Sequence, residues 1–191
     1  MGLCFNGAAG VKMKLATARV LASILVCLLS ATLAAQSNRR EPLSEAQIEE
    51  IRAAGGNPSE RINLYTKYLK QRAEILAGLN KRAHSPARAQ RIHEELLDFT
   101  ALLDELTSNL DQYGDRKADL RPALKLLNEA LPHWLEAARA FSPEPAFELA
   151  QKESIASAQD LKEQAADLLK EQTAYFNAHK DEKNQERAEP K

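Results

Sequence analysis

Apolar residues recur along this chain at alternating steps of four and three. One series is Ile92, Leu96, Phe99, Leu103, Leu106, Leu110 and Tyr113, and the next is Leu120, Leu124, Leu127, Leu131, Trp134, Ala138 and Phe141. Such spacing lays one apolar stripe along an α-helix, and its seven-residue repeat predicts helices packed nearly antiparallel at a shallow angle. An earlier segment carries Ile62, Tyr65, Leu69, Leu76 and Leu79, with Arg72 in the stripe. The Arg72 stem is expected to cover the seam while its guanidinium reaches water. A later segment carries Phe147, Ile155, Ala158, Leu161, Ala165, Leu168 and Tyr175, a narrower stripe that predicts close approach to its neighbours. Flanking Leu97, Leu102, Leu126 and Leu135 widen the stripes beyond those of a two-helix coiled coil.

Punctuation fits the periodicity. Asn57-Pro58, Ser85-Pro86 and Ser142-Pro143 each place a capping side chain before a proline, which loses nothing at the first helical position. Ser44 with Gln47 reads as a capping box, and Leu43 with Ile48 as its hydrophobic staple. Gly55-Gly56 is expected to end that short helix, and Gly114 to end the one after Tyr113. Joints near 83–85, 114–119 and 142–143 are short, so each helix should run back along the one before. The expected fold is all-α: an antiparallel up-down four-helix bundle with a short N-terminal helix. A long coiled-coil hairpin or an open helical array stays open as an alternative. Pro122 is harmless if Asp119 caps its helix. Pro132 costs roughly 3 kcal/mol mid-helix, against about 1.5 to 3 kcal/mol from burying each of Leu131 and Trp134, which predicts a kink rather than a break. A last helix running from Pro143 to about His179 would outreach its partners by roughly 10 Å. Ile48 and Ile51 are the expected cover for its far end, at Tyr175 and Phe176.

The first 35 residues differ from the rest. Lys12, Lys14 and Arg19 precede an apolar run over residues 20–29, and Thr32-Leu33-Ala34 meets the small-x-small rule of a signal-peptidase site. A cleaved signal peptide is expected over 1–35, with the cut after Ala34 or Ala35 and Met13 as an alternative start. The run is shorter than the roughly 20 residues a bilayer core requires, so no stable membrane span is expected after cleavage. Bulky Val26 before Cys27 argues against lipidation there. Division of the remainder gives an N-terminal segment with its short helix over 36–56, a helical bundle domain over 57–180 and a disordered charged tail over 181–191.

Removing the signal changes the chemistry. Cys4, Cys27, Met1, Met13 and all three valines lie inside it, leaving no thiol for a disulfide, a metal or a nucleophile. Without Lys12, Lys14 and Arg19, the 26 basic residues fall to 23 against 27 acidic ones, a net charge of −4. That balance disfavours nucleic acid as a partner.

Candidate chemistry is sparse. Glu-x-x-His, Cys-x-x-Cys-His and glycine-rich phosphate loops are absent from the mature chain. Glu129 and His133 stand one turn apart, and His93 flanks its seam near the height of Trp134; solvated or edge positions are the simpler reading for all three. Glu94, Glu95, Asp98, Asp104, Glu105 and Asp111 form a carboxylate-rich face expected to point to solvent, with Arg91 pairing Glu95. Ser142, Ser154 and Ser157 have no nucleophile elbow around them. Lys81, Arg82, His84, Arg88 and Arg91 make a basic corner that Glu144 and Glu148 are placed to neutralise. No residue is therefore assigned as catalytic, cofactor-binding or metal-binding, and no cofactor is expected.

Asn57-Pro58-Ser59-Glu60-Arg61 followed by Leu64-Tyr65 and Tyr68-Leu69, with the later leucine seams, resembles uncharacterised exported all-helical bacterial proteins. The resemblance implies an exported helical domain and carries over no functional residue. Haem-binding four-helix cytochromes of the periplasm are similar in architecture, but their methionine and histidine ligands have no matching positions here. The expectation is a non-enzymatic protein in the periplasm or outside the cell that binds another protein or an envelope component. The alternative is a small-ligand or metal/haem carrier using a pocket near the Pro132 kink, beside His93, His133 and Trp134.

Overall fold

A computed structural model describes residues 41–115 and 118–179. The expected signal segment and charged tail lie outside the described residues. Five α-helices pack against one another, and no strand occurs among the described residues: α1 Glu45–Ala53, α2 Pro58–Asn80, α3 Pro86–Asp115, α4 Arg121–Arg139 and α5 Glu148–Ala178. None of these is long and apolar enough to cross a membrane.

Local capping explains where three of the helices begin. Ser44 and Gln47 form the reciprocal capping box of α1. Asn57 accepts the Glu60 N–H at 3.1 Å before Pro58, and Ser85 accepts that of Arg88 at 3.2 Å before Pro86. Ser142-Pro143 starts nothing, because α5 begins at Glu148. The cause is Pro145, which disfavours helical backbone at Glu144 and so blocks a helix from Pro143. A turn forms instead, closed by the Phe147 N–H to the Glu144 carbonyl at 3.0 Å.

The stripes of α3 and α4 are buried along their whole length, from Ile92 to Tyr113 and from Leu120 to Phe141. Leu102 and Leu135 join the core, whereas Leu97 and Leu126 are exposed. Four principal pairings follow: α2 against α3 and α4, and α5 against α3 and α4. Hydrogen bonds between side chains and neighbouring helices fix the directions. Arg72 meets Glu95 and Tyr65 meets Glu105, so α2 and α3 are antiparallel. Gln151 meets Ala138 and Gln172 meets Leu120, so α4 and α5 are antiparallel too. Thr100 meets Ser154 and Thr107 meets Gln164, which makes α3 and α5 parallel. Consecutive α3 and α4, expected as direct neighbours from their matching seams, are not a principal pair. A seven-residue repeat gives the direction of a stripe but not the stripe it meets, and that of α4 is shared between α2 and α5.

Proline and glycine positions refine the picture. α4 runs through Pro132 as one helix between buried Leu131 and Trp134. Asp119 accepts the Arg121 N–H at 3.2 Å and so serves the first turn, and its carboxyl is held below the usual range chiefly by the Arg121 side chain. Gly114 does not end α3 but lies within it. A Cβ there would meet the Leu168 side chain at 3.3 Å, so the missing side chain serves close approach of α3 to α5.

The short α1 turns back through Ala54–Gly56 and lies along α2. Gln47 reaches Gln71, Glu50 reaches Tyr68 at 2.5 Å and Lys67 at 3.2 Å, and the Pro42 carbonyl accepts from Arg72. It therefore does not cover Tyr175 and Phe176. Those residues are served locally: the Arg121 guanidinium lies 4.3 Å from the Phe176 ring centre, and Tyr175 stacks on His179. At 31 residues, α5 is matched in length by the 30 residues of α3, so the expected overhang exists only relative to α2 and α4.

Candidate functional site

Helices α2 and α4 leave a groove of about 740 Å³ between them, open along one side and mostly apolar. The two run parallel, since Ser59 bonds the Asp119 carbonyl at one end and Ala77 and Ala137 line the groove at the other. Its floor comes from small residues, Ala73 and Ala77 on α2 and Ala130 and Ala137 on α4. Each helix turns its large apolar stripe to the core, and the adjacent stripe carries alanine, so the two cannot fill the space between them. Trp134, 1 % exposed, contributes to the wall, and Leu126, 53 % exposed, stands at the rim.

Charged groups edge this apolar floor. Lys67, Lys70 and Glu74 line the α2 side, and Glu129 with His133 the α4 side. Lys67 is also tied to α1 through Glu50, whose carboxyl is held below its ordinary range first by the Tyr68 hydroxyl and then by Lys67. Burial, reinforced by Glu50, pushes the Tyr68 phenol up to about 12.

Glu129, His133 and Trp134, named from the sequence, thus meet in one groove. His93 does not join them: it stands half-buried on α3, its Nδ1 enclosed without a hydrogen-bond partner. Among the described residues, no three His, Cys, Asp and Glu side chains group in a way that could hold a metal ion. Sequence reasoning missed the alanine floor and the lysines beside it. Their signal was present as a second stripe, Thr66, Lys70, Ala73 and Ala77 facing Leu126, Ala130, His133 and Ala137, again at steps of three and four.

The carboxylate face divides. Asp104, Glu105 and Asp111 are exposed, but Glu95 is fully buried and Asp98 nearly so. Arg72 turns inward rather than to water, 2.9 Å from Glu95 and 3.2 Å from Asp98, and Arg91 reaches Glu95 at 2.5 Å as expected. A carboxylate removed from water needs such partners, and the inward turn of Arg72 supplies one. At the basic corner, Glu144 lies 3.2 Å from His84 and 3.5 Å from Arg88, while Glu148 pairs with Lys152 instead. Arg88 is itself buried, donating to the Leu79 carbonyl at 2.9 Å. Ser154 is enclosed between α3 and α5, bonded to Thr100 at 2.7 Å and to the Leu96 carbonyl at 3.1 Å. Arg72, Arg88 and Ser154 thus join neighbouring helices.

Comparison with protein-family models, curated proteins and solved structures finds no match for this chain.

Proposed function

We propose that this chain is an exported, non-enzymatic protein of the uncharacterised all-helical bacterial type, which binds another protein or an envelope component through the α2–α4 groove. Its working form is a four-helix bundle of α2 to α5, with neighbouring directions set by the pairings above and α1 strapped along α2. It acts in the periplasm or outside the cell after loss of residues 1–35. The observation that carries the binding reading is the open apolar groove with Leu126 at its rim. An exposed leucine beside an unfilled furrow is apolar surface that a partner would remove from water.

The test places a photo-crosslinking residue at Leu126 and, separately, at Leu149, which is 69 % exposed on α5. In cells exporting the protein, position 126 is expected to give an adduct of one defined mass and position 149 none. Equal labelling at both, or none at either, refutes the groove as the binding surface. N-terminal sequencing of the exported protein is expected to start at Ala35 or Gln36.

A second reading, a carrier of a small ligand, is favoured by His133 and Trp134 standing side by side in the groove wall. Native mass spectrometry of protein purified from its own envelope separates the two. A stoichiometric bound molecule of low mass would select the carrier.

A further inference from the structure

We infer that the occupant of the α2–α4 groove is an amphipathic α-helix of a partner protein, acidic along one flank and basic along the other. The inference rests on the groove being the binding surface and goes on to its occupant.

Shape is the first argument. From Asn63 to Ala77 the α2 wall rises about 21 Å, roughly four turns, and from Leu126 to Ala137 the α4 wall rises about 17 Å. Both walls repeat at steps of three and four residues, so their alanines form a row of shallow sockets. Large apolar side chains on a third helix, spaced at i, i+3 and i+7, fall into such a row. An acyl chain fits less well, because the groove is open along one side and would leave the chain partly in water. Small-ligand sites bury about 70 to 90 % of their ligand.

Charge is the second argument. Lys70 edges the α2 side, between Lys67, which already pairs with Glu50 of α1, and Glu74, and Glu129 edges the α4 side with His133 one turn on. A ligand with one anionic headgroup would satisfy Lys70 and leave Glu129 facing apolar surface. A helix with an acidic flank over Lys70 and a basic flank over Glu129 matches both.

The experiment uses the purified mature chain and three synthetic 18-residue helical peptides sharing one leucine stripe. One peptide has a glutamate flank and a lysine flank, one has glutamate on both, and one has lysine on both; dodecanoate is the fourth probe. Trp134, the single tryptophan, reports binding by fluorescence. The mixed peptide is expected to bind about fivefold tighter than either single-sign peptide at low salt, with the difference shrinking as salt is raised. Lys70→Glu, at an exposed position, is expected to shift the preference to the all-lysine peptide. Equal binding of the three peptides, or an unchanged preference in Lys70→Glu, overturns the charge assignment. Dodecanoate binding without any peptide overturns the helical occupant but leaves the groove as a binding surface. Silence with every probe overturns the helical occupant as well, and the Leu126 crosslink then decides whether the binding reading falls with it.

Discussion

The rings of Phe99 on α3 and Trp134 on α4 meet edge to face, 6.4 Å between centres, across the middle of the core. Their helices are not a principal packing pair, so this contact joins two elements whose backbones stay apart. Trp134 also forms part of the groove wall, which places the core and the candidate site back to back on one side chain. Phe99→Ala should therefore cost about 3 to 5 kcal/mol in urea unfolding, at the level of the largest core truncations. It should also make Trp134 more mobile, read as lower fluorescence anisotropy of the indole in the folded state. A cost under about 1 kcal/mol with unchanged anisotropy would mean that the core closes over the gap without using this contact.

Both ends of α4 are held by glutamines of α5. Gln172 accepts from the Leu120 N–H at 2.8 Å and donates to the Ala118 carbonyl at 2.7 Å. Gln151 donates to the carbonyls of Ala138 and Phe141, each at 3.0 Å. Helix ends carry backbone groups with no intrahelical partner, and these two buried side chains satisfy some of them from outside. Replacing either by leucine keeps the volume and strands the backbone groups, so Gln172→Leu and Gln151→Leu should each cost about 1 to 3 kcal/mol. Hydrogen exchange should quicken around residues 120–123 in the first and leave that end alone in the second. Because the sites stand some 30 Å apart by the rise of the helix, the double variant should show additive losses.

How much of this was legible depends on what each residue interacts with. Stripes such as Ile92 to Tyr113 are local signals, because spacing along one helix decides which side is apolar whatever the partner. Capping at Ser44, Asn57 and Ser85 is likewise local. Arg72 and Glu95 read as surface residues, and Gln151 and Gln172 gave no reading at all, because their partners lie on other helices. Their positions held a clue, since Gln151, Ser154 and Gln172 continue the seven-residue series of α5 through Ala158, Leu161 and Ala165. A polar residue in a core register predicts a buried partner without naming it. The groove was half visible: Trp134 and His133 were placed near it, but its alanine floor looked like ordinary helix-forming sequence.

The Arg72 cluster leads to a paired test. Arg72 serves Glu95, Asp98 and the Pro42 carbonyl together, and so ties α1, α2 and α3. Arg72→Met removes one of the two cations at buried Glu95, where Arg91 remains, and one partner of Asp98, which should cost about 1 to 3 kcal/mol. Replacing the carboxylates as well, in Arg72→Met with Glu95→Leu and Asp98→Leu, should recover much of that loss, since the desolvation cost of the ions goes with them. Chemical denaturation of the two variants decides the matter. If the single variant is nearly neutral, water reaches the carboxylates and the cluster contributes little.

Tyrosine ionisation gives the last expectation. Burial first, and then the neighbouring carboxylates, raise Tyr65 beside Glu105 and Tyr68 beside Glu50 to about 12. An unfolded tyrosine ionises near 10, so between about pH 10 and 12 the folded chain holds protons that the unfolded chain has released. The stability tied to these two phenols is accordingly present in full below about pH 10 and is lost as pH climbs towards 12. Ultraviolet titration of phenolate should show Tyr65 and Tyr68 ionising late, together with alkaline unfolding. Glu50→Gln removes the carboxylate but not the burial, so Tyr68 should titrate lower than before while staying above the unfolded value, with Tyr65 unmoved. Ionisation of Tyr65 and Tyr68 near pH 10 with no loss of helix would show that neither phenol is enclosed in solution.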